Sequence, residues 1–212
     1  MTLQNRLHPW HGVHLSDNNL KTMNCYIEIL TGDNIKFEID KPSGILRVDR
    51  PQKYSNASPC LYGMLPKTYS GKQVAAFCGK KINREGISGD HDPIDVCVLS
   101  DNTIQQRDIL VSIKILGGFR LIDNDEADDK LIGVVEGDPA YSQYQEIEEL
   151  PEAILLRIEH YFLSYKESPA NLKNNSKRKI ELIGRYGRLE ALEIIQLSQQ
   201  DYINEVSSIK ML

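Results

Sequence analysis

The sequence predicts an α+β protein, mainly β, with an antiparallel β body and helices packed on its outside. Two observations predict this fold class. The chain between residues 25 and 135 contains short runs of alternating or β-branched apolar residues, separated by turn-forming residues. After residue 150, apolar residues instead recur at steps of three and four, which is the helical period. We expect residues 1–212 to form a single domain, because this length suits one core.

The β body is predicted to begin as a meander, because its first short strands are separated by turns of the Thr-Gly-Asp-Asn type. Residues 109–122 are interpreted as two strands that are joined or bent at Gly117, where glycine allows a bulge. Residues 66–89 are rich in Gly, Ser and Lys without a sustained period, so we expect a long loop. The other strands are predicted at residues 25–30, 35–39, 45–48, 94–99 and 131–135.

The helical part of the chain comes late. Residues 151–166 are predicted to form an amphipathic helix with Pro151 at its first position. Residues 180–183 are read as a returning strand. A second helix is expected over residues 188–206, with Leu189, Leu192, Ile195 and Ile203 on its inner side. Residues 1–23 show neither period and are expected to form an irregular arm.

Composition and charge exclude several classes of protein. The net charge of −5 argues against nucleic acid as a partner, since phosphate backbones favour basic surfaces. No apolar run approaches the roughly 20 residues that span a membrane, and the N-terminal residues lack the apolar core of a signal peptide. The four cysteines are scattered without a CxxC pair, which disfavours zinc. We therefore expect a cytoplasmic protein with reduced thiols and no membrane partner.

The most informative stretch is an acidic strip that holds Asp90, Asp92 and Asp95. Like charges this close repel by on the order of 1 kcal/mol or more per pair. A divalent cation offsets that repulsion, and all-oxygen ligands suit Mg²⁺ or Mn²⁺. A calcium-binding EF-hand is excluded, because glycine is missing at the sixth position and no Glu closes the loop.

A second acidic cluster spans residues 123–130 and is either a solvated turn or part of the same site. Cationic and phenolic side chains accompany the two clusters. Carboxylates would collect metal, the metal would neutralise phosphate oxygens, and cations and phenols would hold the rest. The side chains are Lys36, Arg50, Tyr62, Lys130, Tyr165 and Lys166.

The string GDHDPIDV at residues 89–96 resembles the D-x-D-P-x-D-V signature of family I soluble inorganic pyrophosphatases. The resemblance runs over roughly residues 25–200. It also includes IKFEIDK at 35–41, VDR at 48–50, PCLYG at 59–63, the D-x4-D-x-K pattern from Asp123 to Lys130, and HYFLSYK at 160–166.

This resemblance implies a five-stranded OB-like antiparallel barrel flanked by helices. It implies hydrolysis of pyrophosphate to two orthophosphates by a metal-activated water. Three to four Mg²⁺ ions would serve each site, with Mn²⁺ as a possible substitute. Homo-oligomers, hexamers or dimers, are the expected assemblies.

The resemblance also implies roles for individual residues. Asp90, Asp95 and Asp128 would hold the tightest metal, and Asp92 would be the general base. Asp123, with Asp128, would hold a metal that arrives with substrate, and Glu28 would help bind another. The remaining residues would contact substrate, namely Lys36, Glu38, Arg50, Tyr62, Lys130, Tyr165 and Lys166.

Three departures from the family pattern stand out. After Lys166 the match weakens, and Lys177 or Lys179 is the candidate for an outer phosphate contact. Ser58 occupies a position where the family often has tyrosine, and residues 66–89 lengthen the gap between Tyr62 and the acidic strip. Three alternatives stay open at this point. They are a hydrolase of longer polyphosphates or nucleotides, a non-catalytic cation- or phosphate-binding protein, and an OB-type nucleic-acid binder.

Overall fold

The computed structural model describes residues 6–16, 20–168, 170 and 180–209, with side chains to residue 205. These residues contain ten strands and three α-helices. The strands are β1 Met23–Ile29, β2 Ile35–Ile39, β3 Leu46–Pro51, β4 Leu61–Met64, β5 Ser88–Gly89, β6 Asp95–Leu99, β7 Ile109–Asp123, β8 Glu126–Ala127, β9 Lys130–Val135 and β10 Ile180–Gly187. The helices are α1 Lys72–Ile82, α2 Glu152–Ser164 and α3 Arg188–Ile209, and a 3-10 turn spans Ile147–Glu149.

Five strands close into a barrel. The order is β1-β4-β6-β9-β7, and β7 pairs back with β1 to complete the ring. This confirms the mainly β, OB-like prediction, with one correction to the antiparallel arrangement. β6 and β9 are parallel, because β7 lies between them in the chain and pairs antiparallel with β9. β2 and β3 form a separate hairpin, which packs beside β1.

The segment 109–122 is a single long strand, β7, rather than two. A register shift lies between Ile115 and Gly117, so the glycine marks a bulge without ending the strand. A Cβ at Gly117 would come within 2.4 Å of the Tyr186 carbonyl oxygen on β10. The length of β7 lets its first half pair with β1 and its second half with β10.

The expectation of a continuous loop over 66–89 is wrong, because α1 and the short strand β5 lie within it. Gly71 precedes the first residue of helix α1 and, as a glycine, supplies no side-chain cap. The cap comes instead from Asp201 on α3, whose carboxylate accepts hydrogen bonds from the Gln73 and Val74 amides at 2.9–3.0 Å. A cap from so distant a residue leaves no local sequence signal.

The two predicted late helices are present, but the inner side of α3 differs from the prediction. Leu189 is 82% exposed and Ile203 is 55% exposed. Ile195 is buried and Leu192 packs partly buried against the core, as predicted, and the other buried residues of α3 are Ala191, Ile194, Ser198 and Asp201. Apolarity alone did not define the whole inner side of α3, because two of the inward residues are polar: Ser198 donates to the Ile195 carbonyl, and Asp201 caps α1.

Two large apolar clusters hold these elements together. One joins the barrel strands to α3, and the other joins them to α2 through Leu155, Ile158 and Phe162. The arm packs on the body through Trp10, which is 4% exposed. Within the parts of the chain that the structure describes, none of the helices combines the length and apolar character that a membrane crossing requires.

Candidate active site

A polar cavity of about 240 Å³ opens where several strand ends and the β2–β3 hairpin meet. Glu28 comes from β1, Tyr62 from β4 and Asp95 from the start of β6. The mouth of the cavity is shaped by the chain segments before and after these strands. The lining residues are Glu28, Lys36, Glu38, Ile39, Lys41, Tyr62, Asp90, Asp92, Pro93, Asp95, Asp123, Glu126, Asp128, Lys130, Tyr165 and Lys166.

The cavity brings together every site residue predicted from the sequence except Arg50. Arg50 lies on β3 opposite Lys36, with its guanidinium 6.0 Å from the ring centre of Tyr165. It therefore stands beside the cavity rather than in its wall. Lys177 and Lys179, outer phosphate contacts that the family pattern suggests, lie outside the described residues.

Sequence reasoning missed Lys41 and Glu126. Lys41 ends the IKFEIDK motif and sits in the turn of the β2–β3 hairpin, and the motif assigned it no role, yet its ammonium pairs with Asp92. Glu126 belongs to the second acidic cluster and was not separated from its neighbours. Position within an acidic run does not tell which members face inward, since that depends on the β7–β8 pairing.

The centre of the site is a buried lysine between two carboxylates. Lys130 on β9 is 4% exposed and contacts both Asp95 and Asp128. The parallel register of β6 and β9 places Asp95 beside Lys130. Burial lowers the pKa of Lys130, but the charges of Asp128 and Asp95 outweigh it and raise that pKa overall. Lys130 therefore stays cationic.

Two other carboxyl groups are compensated only in part, Glu28 by Lys36 and Asp90 by Lys130. Burial and then the charge of Asp95 raise the pKa of Glu28 to about 8. Burial and then the charge of Asp128 raise the pKa of Asp90 to about 8. Both groups therefore retain protons near neutrality, because burial first and a neighbouring carboxylate second outweigh the lysines that lower these pKa values.

The rim of the cavity carries phenols and further lysines. Burial raises the pKa of Tyr62 well above its ordinary value, so the phenol remains a hydrogen-bond donor. Lys166 pairs with Asp123, and its ammonium lies 5.3 Å from the ring centre of Tyr165. Lys36 contacts Glu38 at 2.9 Å and Asp49 at 3.2 Å. Hydroxyl and ammonium donors thus face a common space.

Asp92 differs from its acidic neighbours in exposure. Its side chain is 47% exposed, whereas that of Asp128 is 12% exposed. Its amide donates to Asp90 Oδ1 at 3.0 Å, so the two carboxylates are held in a fixed relation. The residue between them, His91, has a φ of 63°. Asp92 is therefore more open to water than Asp95, whose side chain is 21% exposed.

The donor set fits hard divalent cations. Among the described residues, eight carboxyl groups but only four lysines line the cavity. The ligands on offer are oxygens, which Mg²⁺ and Mn²⁺ prefer. As they stand, no three acidic, His or Cys groups in the described chain converge on one point. Because Lys130 occupies the space between Asp95 and Asp128, binding a cation there requires these side chains to rotate.

The barrel and this cavity define a class: an OB-like α+β protein whose site suits a small polyanion accompanied by cations. Comparison with known proteins narrows the class. The family model for inorganic pyrophosphatase matches residues 25–203. An inorganic pyrophosphatase from Chlamydia trachomatis serovar L2 is 49% identical over 197 residues, which cover 93% of this chain and 94% of that protein. The chain therefore belongs to the inorganic pyrophosphatase family and is a hydrolase.

Solved structures agree with this assignment. The structure of inorganic pyrophosphatase from Thermus thermophilus matches with a TM-score of 0.74 at 25% identity, covering 93% of this chain and 99% of that one. A truncated Trypanosoma cruzi vacuolar soluble pyrophosphatase, solved in complex with PPi, matches with a TM-score of 0.78 at 22% identity over 93% of this chain and 79% of that one. The second likeness supports the fold.

Proposed function

We propose that this chain hydrolyses pyrophosphate to two orthophosphates with Mg²⁺ as its cofactor. The observation that carries the proposal is the twofold excess of carboxyl groups over lysines around the cavity. An anion enters so acidic a space only with cations that offset the negative charge of the carboxylates and of the anion itself. When bound, such cations neutralise phosphate oxygens and make a water molecule more acidic.

The residues that would hold the cations are the buried carboxylates. Following the family resemblance, Asp90, Asp95 and Asp128 would bind the tightest one, and all three line the cavity. Asp123, together with Asp128, would hold a cation that enters with substrate, and Glu28 would assist another. Three to four Mg²⁺ ions per site, replaceable by Mn²⁺, follow from the family resemblance.

The cationic and phenolic residues would bind phosphate oxygens. Lys36, Lys130 and Lys166 reach the cavity from three separate elements, so they can contact both phosphoryl groups. Tyr62 and Tyr165 donate hydrogen bonds without adding charge. Arg50 would join from beside the cavity, and Glu38 holds Lys36 in place. These contacts favour the transition state where they strengthen as charge builds on the leaving phosphate.

Asp92 would act as the general base. Its carboxylate takes a proton from the attacking water while the water oxygen bonds to phosphorus and the bridging P–O bond breaks. The exposure of its side chain suits this role, because a water molecule in the cavity can reach the carboxylate. Its ion pair with Lys41 must loosen for the proton to be accepted.

The first test is phosphate release from pyrophosphate by the pure protein. We expect release with Mg²⁺ and its loss on adding a chelator. Asp92→Asn should lower kcat by about 10²- to 10⁴-fold, the usual contribution of a general base, while Mg²⁺ affinity stays near that of the unaltered protein. Asp101→Asn, at an exposed site outside the cavity, is the matched control.

Two outcomes would count against these roles. Absence of phosphate release with Mg²⁺ would overturn the hydrolysis itself. Full activity of Asp92→Asn would leave the hydrolysis standing and remove Asp92 as the base. The size of the cavity favours pyrophosphate over longer polyphosphates, so tripolyphosphate in the same assay should turn over more slowly.

We also propose a homo-oligomer, a hexamer or a dimer, formed by single-domain chains in the cytoplasm. The apolar side chains of Leu189 and Ile203, exposed on α3, support an assembly. Four free and buried cysteines suit a reducing compartment. Light scattering coupled to size-exclusion chromatography tests the assembly, and a mass equal to one chain would contradict it.

A further inference from the structure

The residue between the two aspartates of the strip adopts an unusual backbone conformation. His91 has a φ of 63°, in the left-handed region that L-residues with a side chain seldom adopt. Glycine reaches this region without steric cost, whereas histidine does not. A conformation of this kind persists only where neighbouring groups hold it.

One neighbour is Tyr69, whose hydroxyl lies 2.7 Å from Nδ1 of His91. Tyr69 stacks on Trp10 of the arm with 6.4 Å between the ring centres, so its ring is braced from behind. Trp10 is itself fixed by a 2.8 Å bond from its indole to the Thr68 carbonyl. The imidazole is thus tied to a rigid aromatic support.

The chain on both sides of Tyr69 is hydrogen-bonded to the acidic strip. The Ser70 amide donates to the Asp92 carbonyl at 2.8 Å, and the His91 amide donates to the Ser70 carbonyl at 3.1 Å. Thr68 Oγ1 accepts from the Ile94 amide at 2.9 Å. Residues 68–70 therefore hold the strip in place through these hydrogen bonds, and Tyr69 adds the side-chain contact to His91.

We propose that Tyr69 and His91 form a positioning pair that holds the left-handed backbone at His91 and thereby aims Asp92 into the cavity. Neither residue lines the cavity, so neither touches the reacting atoms. The inference rests on the proposed role of Asp92 as general base. It assigns a catalytic consequence to a hydrogen bond outside the site.

Single substitutions test the Tyr69 hydroxyl and the backbone conformation of His91 separately. Tyr69→Phe removes only the hydrogen bond and should lower kcat about fivefold, with KM within twofold, because the substrate lysines lie on other elements. His91→Ala leaves a left-handed residue without its support and should lower kcat about tenfold. His91→Gly and His91→Asn, which tolerate positive φ, should stay within about threefold of the unaltered protein.

The decisive measurement is the double variant. If Tyr69 acts through His91, Tyr69→Phe in the His91→Gly background should change kcat by less than about twofold, which corresponds to the additivity limit of such cycles. A full fivefold loss in that background would overturn the proposal. So would a Mg²⁺ affinity that falls in step with kcat, because the pair would then act on metal binding rather than on Asp92.

Tyr202→Phe is the matched control. It removes a hydroxyl–imidazole hydrogen bond of 2.8 Å to His11 in the same aromatic cluster, away from the acidic strip. Tyr202→Phe should share any small fall in Tm with Tyr69→Phe but keep kcat. Equal loss of kcat in both variants would reduce the effect of Tyr69 to general stability and overturn its positioning role.

Hydrogen exchange, which does not depend on catalysis, distinguishes failure of the positioning pair from failure of the proposed hydrolysis. Hydrogen exchange of the amides of residues 90–92 should accelerate in Tyr69→Phe and show no further change in the His91→Gly background. Unaltered exchange in Tyr69→Phe overturns the positioning pair. Protein with the expected exchange but no phosphate release with Mg²⁺ overturns the proposed hydrolysis instead.

Discussion

At the scale of single residues, the site is a balance between like charges held close and one lysine held among them. Lys130 offsets part of the repulsion between Asp95 and Asp128, whose side chains are 21% and 12% exposed. It does not outweigh the burial of Asp90, and burial likewise keeps the pKa of Glu28 raised. These clustered carboxyl groups therefore destabilise the folded protein, and we expect bound cations to relieve that destabilisation.

Removal of Lys130 tests this balance. Lys130→Met should lower the free energy of unfolding by about 3 kcal/mol in chelator, because it strands two buried carboxylates. Mg²⁺ should recover most of the loss. Lys41→Met, which breaks a pair with both members more than 40% exposed, should cost about 0.5 kcal/mol or less. Urea unfolding at neutral pH measures both, and equal stabilities in chelator would contradict the account.

Asp138 offers a pH test away from the cavity. Burial raises its pKa, but hydrogen bonds from the Asp101 amide, the Ser100 hydroxyl and the Tyr141 amide outweigh burial and lower the pKa overall. A lowered carboxyl pKa gives stability that is present above the unfolded value of about 4 and is lost as pH falls through the folded pKa.

We therefore expect Asp138→Asn to lower the free energy of unfolding by roughly 2 kcal/mol at pH 7, from loss of bonds to a charged acceptor. The difference from the unaltered protein should shrink below pH 4. Denaturant unfolding across this range measures it. A difference that grows as pH falls would reverse the sign of the argument.

At the scale of elements, strands with plain turn signals could be predicted and elements defined by distant partners could not. Strand β2 was predicted with its observed bounds, since its alternation and both turns are local. Strand β4 was seen only as a motif. Its Gly63 is needed because a Cβ there would come within 1.9 Å of the Tyr26 carbonyl on β1, a contact that sequence does not reveal.

Helix α1 depends on Asp201, 130 residues from the Gly71 amide that it also binds. Asp201→Ala should lower the free energy of unfolding by about 1–2 kcal/mol, the usual value of an N-terminal cap, and should speed amide exchange in the first turn of α1. Asn204→Ala, at an exposed position on α3, is the control. Unchanged exchange in α1 would show that the helix needs no cap from α3.

At the scale of the whole molecule, most of the residues around the cavity could be predicted because they belong to sequence motifs. The predictions failed where a residue's place depends on how the β2–β3 hairpin packs. The sequence pattern named twelve cavity residues correctly as neighbours. Arg50 fell outside because the β2–β3 hairpin turns it toward Tyr165. Lys41 was missed because its ion pair with Asp92 joins a hairpin turn to a loop fifty residues away.

The central claim is that dications must fill an acidic cavity before a small polyanion can bind. The most direct measurement is calorimetric binding of imidodiphosphate, in which an NH group replaces the bridging oxygen of pyrophosphate. We expect affinity at least 100-fold tighter with saturating Mg²⁺ than in chelator. Equal affinity in the two conditions would show that the lysines alone hold the anion, and the account would be wrong.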